Sequence, residues 1–251
     1  MWQIIKHSSR YVRFSHDDRF DIEINPYGHE CVILPRPITK RRVNGKRIII
    51  GRLVDPYGPY ELEYKNTLAT LSRLISMDVD LCITTGSLLV FRDIGILRSF
   101  KITPTICVPI RYDSNSTVIR PREGIASSDE RIEVLKRAKE EDFKTICRVG
   151  PLYPMISDPI TIISKVKNYA DEIWVENFHG IPEHDIFFRK RVGAILRLHP
   201  EAKDLYRRIY YDEDDTYWIE MWKNIYKYCV KHGIKNKVHN HMHMRFPVYF
   251  R

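Results

Sequence analysis

The run Val79–Thr84 (VDLCIT), followed by Thr85–Phe100 (TGSLLVFRDIGILRSF) and Thr105–Ile110 (TICVPI), decides the reading of the fold. The first and last pieces are short apolar runs rich in β-branched residues and bounded by Thr, Gly and Pro, as buried strands are. Between them Leu89, Ile96 and Phe100 recur at helical spacing, which makes the order strand, helix, strand, the unit that builds a parallel sheet. The alternation extends in both directions. Asp21–Asn25 (DIEIN), Arg47–Ile50 (RIII), Thr145–Val149 (TICRV) and Glu172–Val175 (EIWV) bring the candidate strands to six. A helix is predicted over Glu61–Ser76, with Leu68, Leu71 and Ile75 on one face. Ser127-x-x-Glu130 is a capping box that opens Glu130–Glu141, and Asp158-Pro159 supplies an N-cap and an N1 proline for Ile160–Asn168. After Glu176 the pattern passes through Phe187–Arg208 to a helix predicted over Tyr217–Lys231, then to an extended piece, Lys237–Phe250.

The 251 residues are 43% hydrophobic, enough for a buried core, which excludes disordered and fibrous classes. Residues Met1 to Arg52 hold 11 Lys/Arg against 5 Asp/Glu, and Trp222 to Arg251 hold 7 against none, so a mildly acidic body has two basic ends. An anionic partner, nucleic acid first, is the expectation from that asymmetry, with a protein partner as the other option. The five cysteines, at 31, 82, 107, 147 and 229, include no CxxC pair, which argues against a disulfide framework. No apolar run approaches the ~20 residues of a membrane span, and the N-terminus lacks a signal-peptide core, so the sequence reads as an intracellular protein without a membrane partner. With no long Gly/Ser linker, one domain is expected over 1–251: an N-terminal extension at 1–20, the βα part at 21–180 and a C-terminal helical tail at 181–251.

Several segments carry a resemblance. Val54-Asp55-Pro56-Tyr57-Gly58-Pro59-Tyr60-Glu61 is similar to a TDPYQPxE segment, Thr84-Thr85-Gly86-Ser87-Leu88-Leu89-Val90-Phe91-Arg92-Asp93-Ile94 to TKSxLVLRDIDLL, and Arg148-Val149-Gly150-Pro151-Leu152-Tyr153-Pro154 to RVxPxxPG. Ile119-Arg120-Pro121-Arg122 with Asp129-Glu130-Arg131 follows LEPRxxxxxxR, and Asn25-Pro26-Tyr27 matches an NPY entry to a cluster loop. In this order they resemble the spore photoproduct lyase-like group of the radical SAM superfamily, over residues 21 to 235. The resemblance implies an α/β fold of the partial (β/α)6 TIM-type barrel kind with S-adenosylmethionine as cofactor; the tail, helical and then extended, is expected to pack across the open side or base of the barrel. It also implies a [4Fe–4S] cluster held by three loop cysteines, because such clusters need thiolate ligands. Here the loop Gly28-His29-Glu30-Cys31-Val32-Ile33-Leu34-Pro35-Arg36-Pro37 keeps Cys31 alone. Gly86 stands in place of a Lys and Arg120 in place of a Glu. These departures point to a barrel without standard cluster chemistry.

Candidate cofactor-binding residues are Asp55, Tyr57, Thr85, Ser87, Arg148 and Glu176. Asp55, Thr85 and Ser87 follow strands, on the side where barrel enzymes place their sites, and hydroxyls before a helix N-terminus can hold an anion. Asp55 has a structural alternative, capping a turn with Pro56 and Gly58. Arg148 and Glu176 lie in or at the end of apolar strands, where an unpaired charge is costly, so they bind a ligand or each other. Cys31 is the loop's metal candidate. Cys82, Cys107 and Cys147 fall at similar heights on three candidate strands, as a substitute cluster or as core residues. His239 and His241, with His243, alternate onto one face of an extended piece and could ligate a metal. Lys40, Arg41, Arg42, Lys46 and Arg47 form a basic hairpin or loop suited to nucleic acid, where phosphate neutralisation combines with stacking. Two functions follow. The first is a degenerate radical SAM-like barrel that serves as a binding or assembly component contacting nucleic acid. The other is an active S-adenosylmethionine-dependent lyase or transferase with a non-standard iron–sulfur or metal centre, acting on nucleic acid or a nucleotide.

Overall fold

The computed structural model describes residues 12–14, 19–27, 38–111, 126–180 and 185–244. The chain divides into two compact units: residues 1–109 with 121–146, and residues 110–120 with 147–251. Through the first unit run β1 (Val12–Phe14), β2 (Ile22–Ile24), α1 (Lys40–Val43), β3 (Lys46–Ile50), α2 (Glu61–Tyr64), α3 (Asn66–Leu74), β4 (Val79–Thr84), a 3-10 segment (Leu88–Asp93), α4 (Ile94–Arg98), β5 (Thr105–Ile110) and α5 (Ser128–Glu140). The second follows with β6 (Thr145–Leu152), which starts at the division, α6 (Pro159–Val166), β7 (Glu172–Asn177), α7 (Ile186–Leu198), α8 (Lys203–Tyr210), α9 (Thr216–Lys231) and β8 (Val238–Asn240). All six apolar runs are strands, separated by helices, and the fold class is α/β.

In unit one the strands lie side by side in chain order, β1 antiparallel to β2 and the rest parallel. Ile48, Ile49 and Ile50 of β3 are all buried, on both faces of the strand. A parallel strand covered on both sides has that pattern, an unbroken apolar run rather than an alternation. The capping box forms as expected: Glu130 N–H donates to Ser127 Oγ at 3.2 Å and Ser127 N–H to Glu130 Oε2 at 2.7 Å.

Two helices differ from the expectation. Glu61–Ser76 is broken at Lys65, whose φ of 52° is left-handed, and α3 begins one residue later. The buried Glu61 carboxylate takes the amides of Thr67 (2.9 Å) and Leu68 (3.2 Å), orphan donors of the α3 first turn, so the break replaces the helix bonds it loses. Ser87–Phe100 is a 3-10 segment joined to the short α4, opened by Ser87 Oγ accepting from Leu89 N–H at 3.3 Å.

In unit two β6, β7 and β8 are neighbours in chain order. Phe188, Val192 and Ile195 of α7 form a core cluster with Tyr153, Ala202 and Tyr206. The extended tail adds β8 in parallel to β7, Ile173 opposite Val238 and Val175 opposite Asn240. Beyond it, Asn177 exchanges two hydrogen bonds with the His243 backbone, at 2.9 and 2.8 Å.

Candidate ligand-binding site

Ile22, Ile24, Ile48, Ile50, Leu81, Ile83 and Ile106 share one face of the unit-one sheet by register, and Glu23, Ile49, Cys82 and Thr105 make a row on the other. One pleat further on that second face, at the carboxyl ends, come Asn25, Gly51 and Thr84, with Thr84 opposite Cys107. Asn25 and Thr84 are 5% and 2% exposed, yet Asn25 Oδ1 and Thr84 Oγ1 have no hydrogen-bond partner. Between them Gly51, at φ +88°, contributes no side chain; a Cβ there would meet the Thr84 carbonyl oxygen and Pro56 Cδ, each at 2.4 Å. An unsatisfied buried polar group costs about 1–3 kcal/mol, so two in one row mark a place where something other than the chain supplies the partners. Nearby on the same face, Glu23 is fully buried, receives Asn25 Nδ2 at 2.8 Å and lies 3.6 Å from Arg52 Nη1. Thr84 is readable, with Thr85 and Ser87, as a strand-end hydroxyl before a helix N-terminus, but nothing in the charge pattern singles out Glu23 or Arg52; alternation of β2 against its buried neighbours is the available signal.

Behind this row the expected residues Asp55, Thr85 and Ser87 form one network. Asp55 Oδ1 accepts from Tyr57 N–H at 3.0 Å and Thr85 Oγ1 at 2.7 Å, and Oδ2 accepts from Gly86 N–H at 2.9 Å. Ser87 N–H donates to Thr85 Oγ1 at 3.0 Å. Asp55 thus ties the loop after β3 to the loop after β4 and acts as a positioning residue. Tyr57 is 1% exposed and donates to Asp93 Oδ2 at 3.1 Å, and burial raises its pKa. Asp93 also receives Arg92 Nε at 2.7 Å, while Arg92 Nη2 reaches Glu61 Oε1 at 2.7 Å and Tyr27 hydroxyl donates to Glu61 Oε2. Tyr27, Glu61, Arg92, Asp93 and Tyr57 are joined by this charge network. Gly86 admits the Arg131 guanidinium, which bonds Ala126 and Pro109 carbonyls at 3.0 Å each.

In unit two Arg148 and Glu176 face each other from β6 and β7, with Nε 3.6 Å from Oε2, a charge pair longer than a hydrogen bond. Arg148 Nε is buried and has no hydrogen-bond partner. Gly150 brings the strands together, since a Cβ there would lie 2.3 Å from the Glu176 carbonyl oxygen.

His239 and His241 do not converge: their ring centroids are 6.3 Å apart, His241 packs edge-on against Trp174, and His239 Nε2 lies 4.0 Å from Glu172. Among the described residues no group of three His, Cys, Asp or Glu side chains is arranged to hold a metal. His243 instead stacks on His179, centroids 4.4 Å apart. Desolvation first, then His243, holds the His179 pKa below the usual histidine value, against the opposite pull of Asp215. A depressed folded value means that its contribution to stability is present above the unfolded pKa of about 6.5 and is lost as pH falls from there. In an NMR titration His179 is expected to titrate below the ordinary histidine value, and His243→Ala to move it upward; no movement would disprove the coupling.

Cys31, His29, Glu30 and Arg120 lie outside the described residues. Cys82, Cys107, Cys147 and Cys229 are buried. Cys82 is opposite Thr105 whereas Cys107 is opposite Thr84, so these two differ in height by two residues, a correction to the level row expected. The loop holds one cysteine where a conventional [4Fe–4S] cluster of this kind takes three, so its donor set does not fit that ligation.

The basic segment is a helix, turn and strand rather than a hairpin: Lys40, Arg41 and Arg42 lie on α1, Gly45 turns at φ +69°, and Lys46 and Arg47 start β3. The cause is the parallel pairing of β3 with β2 and β4, which leaves residues 40–45 no antiparallel partner. Arg47 pairs with Asp21 at 3.5 Å, while Lys40 and Arg41 have no ion-pair partner among the described residues. Because β3 begins here and Asp55 follows its end, patch and row sit at opposite ends of a strand about 16 Å long.

No family model matches the chain. It is 28% identical over 144 residues to an uncharacterised protein of Methanocaldococcus jannaschii, covering 57% of this chain and 54% of that protein. An uncharacterised protein of Acidianus two-tailed virus is 28% identical over 116 residues, 45% of this chain and 37% of the relative. The chain thus spans about half or less of the curated relatives it matches. Solved structures similar to it are radical SAM proteins: Streptococcus suis SuiB bound to S-adenosylmethionine (16% identity, TM-score 0.40, 61% of this chain and 36% of that one) and a spore photoproduct lyase variant with bound AdoMet and dinucleoside spore photoproduct (13%, TM-score 0.44, 62% and 46%). Among the described residues no helix is long and apolar enough to cross a membrane.

Proposed function

We infer that the chain is a degenerate radical SAM-like protein that binds a small polar ligand at the carboxyl ends of its unit-one strands, S-adenosylmethionine being the ligand its motifs imply, and works as a binding or assembly component without a three-cysteine cluster. The observation that carries this reading is the row of Asn25, Gly51 and Thr84, with two buried orphan polar atoms flanking a glycine. Asn25 Oδ1 would accept from a ligand N–H or O–H, and Thr84 Oγ1 can donate or accept. Asp55, Thr85 and Ser87 hold the loops behind the row. Arg148 and Glu176 make a separate candidate ionic site within unit two.

The test is thermal unfolding with and without S-adenosylmethionine, since a ligand that binds only the folded state raises the midpoint. Thr84→Val keeps the shape and removes the orphan hydroxyl. It is expected to leave the apo protein as stable or about 1 kcal/mol more stable and to abolish the ligand-induced shift. A shift retained in full by Thr84→Val and by Asn25→Leu would sink the site. Reconstitution with iron and sulfide decides the degenerate reading: about four irons per chain, lost in Cys31→Ala, would overturn it in favour of a cluster enzyme.

A second reading, contact with nucleic acid, is favoured by the exposed Lys40 and Arg41, which have no ion-pair partner among the described residues, beside Lys46. Phosphate binding there would be salt-dependent and separate from the ligand row.

A further inference from the structure

We propose that the outward face of α7 in unit two is a docking surface for single-stranded nucleic acid, with Phe187 as its stacking platform and Lys190, Arg191 and Arg197 as its phosphate contacts; this rests on the nucleic-acid reading above and gives it a second place on the chain. The helix is two-sided. Phe188, Val192 and Ile195 are buried in the cluster with Tyr153, Ala202 and Tyr206. About a quarter turn round the helix from them, at intervals of four, three and four residues, Phe187, Arg191, Ala194 and Leu198 form one stripe, and Lys190 and Arg197 lie opposite the buried side. Phe187 is 68% exposed, the most exposed large apolar side chain among the described residues.

Charge on this helix is one-signed. Ile186–Leu198 holds four basic residues and no acid. Lys190, Arg191 and Arg197 have no carboxylate partner among the described residues, whereas on the next helix Arg207 and Arg208 lie near Asp212 and Asp214, at 3.9 and 4.0 Å. Lys190 and Arg191, about one helical turn from an exposed aromatic ring, supply with it the combination that binds single strands with little sequence preference. A lipid surface would want a continuous apolar strip. Here Arg191 stands between Phe187 and Leu198 and interrupts it. A duplex would use the cations but leave the ring without a base to stack on.

The experiment is fluorescence anisotropy of the full chain with a labelled oligothymidine about 20 nucleotides long, over a salt series, a length that spans the usual single-strand site. Lys190→Glu with Arg191→Glu is expected to weaken binding at least tenfold and to flatten the dependence on log salt by about 1.4, two phosphates' worth. Phe187→Ala is expected to weaken binding fivefold or more with the salt slope unchanged, which a purely electrostatic surface would not show. These side chains are exposed, and circular dichroism checks that each variant folds. Wild-type affinity in both variants, with binding lost in Lys40→Glu, Arg41→Glu, would overturn the α7 surface while the nucleic-acid reading stood. No binding by the wild-type chain would overturn both. Stronger binding of duplex than of single strand, or displacement of the oligonucleotide by anionic vesicles or polyglutamate at equal charge, would also overturn it.

Discussion

Replacing Glu61 with alanine is expected to lower the unfolding free energy by about 3–5 kcal/mol, the cost of breaking a buried ion pair from one side. The carboxylate is fully buried and serves several structures at once: it pairs with Arg92, accepts from Tyr27 and holds the first amides of α3. Without it, Arg92 keeps Asp93 but loses its second carboxylate, and the α3 amides lose their cap just where Lys65 has already interrupted the helix. Glu61→Gln is a milder case, since one amide oxygen can still accept from α3 while the charge is gone. Urea denaturation of the two variants beside Tyr27→Phe measures the hub: the order Ala, then Gln, then the tyrosine variant at about 1 kcal/mol follows if charge and capping both act there. A loss below about 1 kcal/mol for Glu61→Ala would mean that the pair only breaks even against its desolvation.

Glu61 also shows where sequence reading stops. Its place after Pro59 suggests a helix start, and that much is right, but its partners lie six to thirty-four residues away and are set by tertiary packing. The strands were legible because β3, β4, β5 and β6 are apolar on both faces, a pattern that few other structures produce. Asp55, Thr85 and Ser87 were legible as polar residues after strands, and they do meet; that Asp55 would be occupied by three donors was not, because hydrogen-bond direction has no sequence signal. Arg47 reads both as the first residue of a strand and as part of a free basic patch; it does lie in β3, but it is drawn to Asp21. Histidines spaced at two residues were expected on a common face, and the actual close pair, His179 with His243, joins positions 64 apart.

Gly51→Ala carries the other large effect, and it connects stability to the ligand row. At φ +88° an L-residue is strained, and its Cβ would press on Pro56 and on the Thr84 carbonyl at 2.4 Å; a backbone carbonyl in a paired strand cannot turn away as a side chain can. Gly45 separates the two costs, because its φ of +69° is also left-handed but nothing lies within 4 Å of a Cβ there. Gly45→Ala is expected to cost only the conformational strain, about 1–2 kcal/mol. Gly51→Ala should cost that and a further 1–3 kcal/mol of crowding, roughly 2–5 kcal/mol in all. Ligand response separates them as well. A methyl group at position 51 intrudes between Asn25 and Thr84, so the midpoint shift with S-adenosylmethionine should vanish in Gly51→Ala and persist in Gly45→Ala. Equal destabilisation of the two variants, with the shift kept in both, would show that Gly51 is there for its backbone conformation alone and that the row it interrupts is closed to ligands.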